Sequence, residues 1–293
     1  MDLDYLEQIK KLAIIAMFSD DDLMDMLVLK GGNVLDLIYG VSARSSIDID
    51  LSMESEFDAS NFDSIKTKVQ KVLEETFQEA GYAVFDVKFA ERPRVITPDL
   101  KDFWGGYEIE FKVIERNKYP NLQNDIDSLR RNALIVGPSN RKKFYIQISK
   151  FEFCDNKQEH YLEGYRIYLY SPEMIVFEKL RAICQQMPVY RKMVKSQHRT
   201  ARARDFVDIY YLLKKYKIKI DSKENIELLK SIFRAKRVPL KLIGDIDKYK
   251  EFHRPDFDAV KDTVKAGIKL KEYDYYFDYI ISRCEVLKPL WEI

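Results

Sequence analysis

The sequence is poor in cysteine and in residues that break regular structure. Its three cysteines in 293 residues lie far apart and form no C-x-x-C pair, which excludes a disulfide framework and a thiolate zinc site. Ten glycines and nine prolines are too few for a collagen-like or low-complexity chain, and 46% hydrophobic residues exclude extensive disorder. The composition therefore predicts a folded globular protein of a reducing compartment, the cytoplasm.

Long apolar runs and a net charge are also missing. The apolar run at residues 12–18 is too short, and its flanks too acidic, for a signal peptide or a membrane span, so no membrane contact is expected. The net charge of +1 excludes a protein-wide basic field. Charge is nevertheless uneven: residues 1–60 carry 13 acidic and four basic side chains, and residues 181–217 carry ten basic and two acidic ones. This pattern is typical of a cation site and a phosphate-binding surface, or of two solvated faces of opposite charge.

Hydrophobic periodicity predicts an α+β protein. Helices are expected at residues 4–18, 61–80, 173–187, 202–216, 223–235 and 271–287, and strands at 47–51, 82–89, 107–114 and 143–153. Residues 115–140 are polar and turn-rich, which favours a long connection. Ser171, Pro172 and Glu173 are typical of a helix start. We expect a mixed sheet with flanking helices in a domain at 1–168 and a helical bundle domain at 169–293.

Two short motifs carry the chemistry. Asp48 and Asp50 lie two residues apart on a predicted strand, so both carboxylates project from one face and can share divalent cations. The Gly31-Gly32 turn opens a helix whose backbone N–H groups can bind phosphates. Together these features indicate phosphoryl or nucleotidyl transfer. The alternative for the two aspartates is a solvated strand face.

Four motifs in this order resemble the AbiEii/AbiGii toxin family, which belongs to the polymerase-beta-like nucleotidyltransferase superfamily. They are Lys30-Gly31-Gly32, then Arg44 to Leu51 with Asp48-Ile49-Asp50, then Ser171-Pro172-Glu173 with Glu178 to Ala182, and finally Arg202 to Tyr210. The resemblance spans most of residues 28–213 and implies a nucleotidyltransferase-type sheet followed by a helical domain that contributes Lys179 and Asp205 to the site.

The resemblance also implies roles for individual residues. Asp48 and Asp50 would bind Mg²⁺, or Mn²⁺, while Lys179 and Asp205 would complete the catalytic set. The nucleoside triphosphate would be bound by Lys30, Gly31, Gly32, Asn33, Arg44, Ser46 and Lys179. The acid expected on the strand at 144–151 is replaced by Gln147, for which Glu152, Glu110 and Glu108 are possible substitutes.

Helix patterns leave alternatives for the later motifs. Lys179 lies in an apolar stretch, which favours a functional lysine over a solvated one, although a lysine that snorkels at a core edge fits as well. Asp205 and Asp208 could instead form ordinary helix ion pairs with Arg202 and Arg204. On the functional interpretation, replacing Asp48 or Lys179 by Ala is expected to leave a folded, inactive protein.

A basic segment lies between the two later motifs. Its charged members are Arg181, Arg191, Lys192, Lys195, Arg199 and Arg202, with Tyr190 among them. Clustered cations and an aromatic ring suit RNA, although a solvated loop fits the charge equally well.

The expected activity is transfer of a nucleoside monophosphate to RNA. By resemblance, the acceptor is the tRNA 3′ end, the enzyme is toxin-like and a cognate antitoxin is a possible partner. Two alternatives remain open: transfer to a protein or small-molecule hydroxyl, and a non-catalytic nucleotide-binding or RNA-binding module.

Overall fold

The chain folds into two compact units. The computed structural model describes residues 3–41, 48–195, 198–262, 264 and 269–292. The first unit contains the described residues up to 33 and those at 48–169. The second contains residues 34–41 and those from 170 onward. The predicted α+β class, with a mixed sheet followed by a helical region, is confirmed.

The first unit, called the sheet unit below, is organised around a seven-stranded mixed sheet. Its strands are β1 (Val28–Lys30), β2 (Ile49–Ser52), β3 (Tyr82–Arg92), β4 (Gly106–Glu115), β5 (Phe144–Ser149), β6 (Gln158–Leu162) and β7 (Tyr165–Leu169). The strand order is β3-β4-β5-β2-β1-β7-β6. β2 runs parallel to β5, and β1 runs parallel to β7, while the other neighbours are antiparallel. The centre of the sheet is therefore formed by strands that are distant in sequence.

The helices of the sheet unit are α1 (Leu3–Phe18), α2 (Asp21–Met26), the single turn α3 (Gly31–Asn33), α4 (Phe62–Glu79), α5 (Tyr119–Leu122) and α6 (Ile126–Asn132). α4 lies on the apolar face of the sheet, where Phe77 contacts Phe111, whereas α6 packs through Leu129 against Ile114 on the other face. Alternate residues such as Leu51, Ile146 and Ile109 are fully buried. α1 packs against α4 and β7, and α4 packs against β3. The opposite face carries Asp50, which leaves it available for polar chemistry.

Two expectations for this unit were wrong in detail, and one hairpin was missed. The connection at 115–140 contains α5 and α6, because the Asp125 side chain caps α6 and Leu129 packs against Phe85 and Ile114. The strand expected at 143–153 ends at Ser149, since Phe151 has a φ of 56°. The β6–β7 hairpin was not predicted.

The second unit, called the helical unit below, contains a π-helix at Val34–Ile38 and seven α-helices among the described residues. These are α7 (Pro172–Cys184), α8 (Pro188–Met193), α9 (Ala203–Tyr216), α10 (Lys223–Ala235), α11 (Lys250–His253), α12 (Asp256–Asp262) and α13 (Tyr273–Cys284). The 3₁₀ segments are Leu240–Tyr249 and Glu285–Leu290. The predicted start of α7 is confirmed: Ser171 Oγ accepts a hydrogen bond from Met174 N at 3.2 Å. α9 packs against α7 and α13, so α9 lies at the centre of this unit.

None of the helices within the described ranges is both long enough and apolar enough to cross a bilayer.

Candidate active site

The glycine turn after β1 lies against Asp50. Gly31 has a φ of 74°, and a Cβ placed on it would lie 2.6 Å from Asp50 Oδ2. Gly31 is therefore required for two reasons: its backbone is left-handed, and the Asp50 carboxylate occupies the space that a Cβ would need. The next two residues, Gly32 and Asn33, are buried. The predicted association of the glycine turn with the two-aspartate motif is thus seen directly.

Asn33 connects the turn to Asp48. Its side-chain Nδ2 donates to the backbone oxygen of Asp48 at 2.6 Å, and the whole residue is inaccessible to solvent. This bond fixes the backbone immediately before β2, from which both carboxylates extend. The Asp48 carboxylate accepts a hydrogen bond from Arg141 Nη2 at 2.8 Å. Arg141 was not predicted as a site residue.

One row of side chains crosses the polar face of the sheet. The register pairs Lys30 with Asp50, Asp50 with Gln147, and Gln147 with Glu108. Because residues opposite each other on neighbouring strands project from the same face, these four side chains form a continuous line. Gln147 therefore lies directly beside Asp50, at a position where a carboxylate would complete a three-acid site.

The possible substitutes for Gln147 all have basic partners. Glu108 binds Arg92 at 2.8 Å, and the buried Glu152 contacts Lys30 Nζ at 3.4 Å. Glu110 lies between Lys88 and Lys143. Burial alone raises the pKa of Glu110, but the hydrogen bonds from these two lysines lower it below its usual value.

The Lys30 side chain already has polar partners within the protein. It is 7% exposed, and besides Glu152 its Nζ contacts Ser149 Oγ at 3.1 Å. The predicted contact between Lys30 and the nucleotide thus concerns a side chain that already bridges β1 and the segment after β5. Arg44 and Ser46, the other predicted nucleotide-binding residues, lie outside the described residues.

The sheet unit offers Mg²⁺ a partial ligand set. Within the described ranges, no group of three or more His, Cys, Asp or Glu side chains is placed to hold a metal ion. Two carboxylates fixed by Gly31 and Asn33 nevertheless fit Mg²⁺, because this ion is usually bound by one or two carboxylates and completed by water and substrate phosphates. The amide oxygen of Gln147 is a further possible oxygen donor beside Asp50.

The second set of predicted residues forms a buried charge cluster in the helical unit. Lys179 Nζ lies 2.9 Å from Asp205 Oδ1 and 2.9 Å from Asp208 Oδ2, and Arg202 also pairs with Asp205. Lys179, Asp205 and Asp208 are each less than 5% exposed. Lys179 is therefore not a snorkelling lysine at a core edge. Of the two alternative helix pairs, Arg202 with Asp205 is present, whereas Arg204 binds Asp256.

In these ion pairs two basic side chains, Lys179 and Arg202, face two acidic ones, Asp205 and Asp208. Burial raises the pKa of Asp205, but the charges of Arg202 and Lys179 and their hydrogen bonds hold it well below its usual range. Asp205 is therefore ionised at neutral pH, and it orients Lys179 by a direct charge-assisted hydrogen bond.

His253 supports this cluster. The three histidines show no metal-ligand spacing, which predicts ordinary surface or interface roles, but His253 lies in the interior. It is fully buried, and its Nδ1 accepts a hydrogen bond from the backbone N–H of Arg202 at 3.1 Å. Its Nε2 is buried without a hydrogen-bond partner among the described residues. Burial lowers the pKa of His253 from 6.5 to about 4.

This histidine makes stability depend on pH. The His253 imidazole binds a proton near pH 6.5 in the unfolded chain but only near pH 4 in the folded chain. Protonation therefore favours the unfolded chain, and the free energy of unfolding is highest above pH 6.5 and falls as the pH is lowered toward 4. We expect a loss of about 2 to 3 kcal/mol in the free energy of unfolding over this range. Urea denaturation at pH 7 and pH 4 measures it. His253→Gln should remove this part of the difference in unfolding free energy between pH 7 and pH 4, whereas His160→Gln should not. An equal difference in all three proteins would contradict the assignment to His253.

The predicted RNA-binding segment divides into buried and exposed members. Arg181 is 2% exposed and donates to the backbone oxygen of Ile232, and Tyr190 is 1% exposed. Both side chains are closed to a polynucleotide in this arrangement, which speaks against their predicted contacts with RNA. Arg202 is engaged by Asp205, and Arg199 donates to Gln186 O and lies 4.1 Å from the ring of Phe252. Arg191, Lys192 and Lys195 are exposed.

Known structures resemble the chain only distantly. A candidate nucleotidyltransferase from Helicobacter pylori has 16% identity and a TM-score of 0.49, with 98% of this chain and 95% of that chain covered. A second H. pylori protein has 17% identity and the same TM-score, with 98% and 92% covered. An antigenic nucleotidyltransferase-like protein from Paracoccidioides brasiliensis has 12% identity and a TM-score of 0.36, with 89% and 94% covered. No protein with a curated description matches.

The family comparison extends over nearly the whole chain. Residues 13–279 match the family of the nucleotidyl transferase AbiEii toxin of type IV toxin–antitoxin systems. This range includes the glycine turn, the two aspartates beside it and the Lys179–Asp205 pair. The chain therefore belongs to the AbiEii family of nucleotidyltransferase toxins.

Proposed function

We propose that this nucleotidyltransferase uses Mg²⁺ to transfer a nucleoside monophosphate from a nucleoside triphosphate to the 3′ end of tRNA. The observation that carries the proposal is the contact between Gly31 and Asp50, which presents a carboxylate beside a turn with backbone donors. Asn33 fixes the neighbouring carboxylate of Asp48 through its backbone. Family membership supports the type of reaction.

The reaction joins the terminal hydroxyl oxygen of the acceptor to the α-phosphorus and breaks the bond to pyrophosphate, which leaves together with a proton. Asp48 and Asp50 would hold the metal, with Mn²⁺ as a possible replacement. When bound, the metal stabilises charge on the attacking and leaving oxygens. The turn at residues 31–33 would orient the triphosphate through its N–H groups. Family resemblance assigns Lys179 a role at the nucleotide phosphates, and within the helical unit this lysine is oriented by Asp205.

Two features support an RNA acceptor and a regulated toxin. Arg191, Lys192 and Lys195 present three exposed positive charges within five residues, which suits a phosphate backbone. The family's place in toxin–antitoxin systems supports a cognate antitoxin as a further partner.

The decisive experiment is labelling of total tRNA with each α-³²P nucleoside triphosphate in turn, with Mg²⁺ present. We expect label on tRNA with one or more nucleotides, and none with Asp48→Asn. The matched control is Asp127→Asn, an exposed aspartate of α6 that should leave transfer unchanged.

Other outcomes replace the proposal. Label on a protein or on an added small hydroxyl compound, but not on RNA, would change the acceptor. Nucleotide binding without product under Mg²⁺ or Mn²⁺ would favour a non-catalytic binding module, for which Gln147 beside Asp50 is the supporting observation.

A further inference from the structure

The Arg141 guanidinium binds the Asp48 carboxylate, and nothing in the sequence position of Arg141 predicts this contact. The Nη2 to Oδ1 distance is 2.8 Å, with the two side chains 29% and 39% exposed. The residues are 93 positions apart. A guanidinium on this oxygen competes directly with a divalent cation, because both are positive and both bind the same lone pairs.

The loop before β5 is shaped around the Arg141 side chain. Val136 N donates to Arg141 O at 2.7 Å, and Gly137 and Arg141 form an isolated bridge. Ser139 and Asn140 between them both have left-handed φ angles, of 55° and 57°. A Cβ on Gly137 would lie 2.9 Å from Arg141 Nε, so this glycine makes room for the guanidinium. Two consecutive left-handed residues are costly, which indicates a loop selected for its shape.

The guanidinium is incompletely bonded in this position. Its Nε is buried and has no hydrogen-bond partner in the part of the chain that the structure describes. Arg presents its donors as a planar fork that matches a phosphate group. Asp48 takes only the Nη2 prong of the fork, so a phosphate could be bound by the whole fork once the side chain leaves Asp48 and uncovers Nε.

We infer that Arg141 is an electrostatic gate of the metal site. Without metal, it neutralises Asp48 and limits repulsion between Asp48 and Asp50. When a divalent cation arrives with a triphosphate, the cation takes the Asp48 oxygen, and Arg141 transfers its hydrogen bonds to the phosphates. The inference rests on the proposed function for the identity of the ligand, a metal-bound triphosphate. Arg141 thus competes with the metal for Asp48 and binds the triphosphate once the metal is in place.

The first test measures metal affinity without nucleotide. Mn²⁺ is titrated into the metal-free protein, and free Mn²⁺ is followed by its electron paramagnetic resonance signal. Removing the competing charge in Arg141→Gln should tighten Mn²⁺ binding about three- to tenfold. Adding Asp48→Asn should abolish this gain. The matched control is Arg130→Gln, which removes an ion pair with Asp86 in the same unit and should leave Mn²⁺ binding unchanged.

The second test measures triphosphate affinity with inorganic tripolyphosphate and Mg²⁺, by calorimetry. Arg141→Gln should bind tripolyphosphate about tenfold more weakly, in the opposite direction to its effect on Mn²⁺. Arg141→Lys keeps the charge but loses the fork, so its Mn²⁺ affinity should remain near that of the unmodified protein while tripolyphosphate binding weakens. Thermal unfolding checks that each variant is folded.

Opposite shifts in the two affinities support the inference. Unchanged or weaker Mn²⁺ binding in folded Arg141→Gln overturns the gate, and unchanged tripolyphosphate binding overturns the role at the phosphates. Neither readout requires transfer. If tRNA is labelled but the two affinities do not shift, the inference about Arg141 is overturned and the proposed function stands. If the affinities shift but tRNA is not labelled, the inference about Arg141 stands and the proposed function is overturned.

Discussion

Asp50→Asn is expected to lower the rate of nucleotidyl transfer by about 10³-fold or more. Asn has nearly the same shape as Asp, so the close contact with Gly31 is kept. The substitution removes the negative charge that the proposed metal ion requires. Steady-state labelling of the acceptor measures the effect, and thermal unfolding should show a melting temperature close to that of the unmodified protein.

Glu108 offers a matched control for Asp50, because both side chains lie in the same row across the sheet. Glu108→Gln removes a carboxylate two strands away that already binds Arg92, and we expect it to retain transfer. An active Asp50→Asn variant would refute the assignment of Asp50. An inactive Glu108→Gln variant would instead identify Glu108 as the missing third acid.

Lys179→Met is expected to lower the free energy of unfolding by about 3 to 5 kcal/mol. Lys179 is 4% exposed and holds two carboxylates, Asp205 and Asp208, that are themselves buried. Without it, Asp205 keeps Arg202, but Asp208 loses its ion pair with Lys179. Urea denaturation at pH 7 measures the loss, and Lys192→Met, on the exposed side of α8, should change stability by less than about 0.5 kcal/mol.

A loss of stability would mean that an inactive Lys179 variant is not by itself evidence for a contact between Lys179 and phosphate. Its sequence pattern predicts a folded and inactive Lys179→Ala variant, but the structure shows a lysine whose removal disturbs the core. Lys179→Met combined with Asp208→Asn restores charge balance and should recover more than about 1 kcal/mol of the loss. Transfer assays on this double variant would separate a contact with phosphate from a structural effect. A single variant of unchanged stability would show that the two buried aspartates do not depend on Lys179.

Local sequence patterns predicted the elements that depend on local physics. The Ser171-Pro172 start of α7 and the amphipathic helix α4 follow from capping and periodicity, and both are confirmed. The β6–β7 hairpin was missed because one of its strands is largely exposed and its alternation of polar and apolar residues is weak. Its signal was the Glu163-Gly164 turn, where both residues have positive φ.

The partners of charged side chains could not be predicted from spacing. Helix spacing pairs Asp208 with Arg204, yet each finds a partner on another element, Lys179 and Asp256. Arg141 and Asp48 meet only because the loop before β5 and the segment before β2 lie side by side. Buried ion pairs join residues that are distant in sequence, so the local spacing of charges in a single sequence cannot identify the partners.

The order of the strands has a consequence for synthesis on the ribosome. β2, which carries Asp50, lies between β1 and β5, and β1 in turn pairs with β7. The sheet around the two aspartates therefore cannot close until residue 169 has left the exit tunnel, because its central pairings are non-local. A nascent or truncated toxin shorter than this exposes open strand edges instead of an assembled site. The topology thus delays enzymatic toxicity until more than half of the polypeptide has been translated.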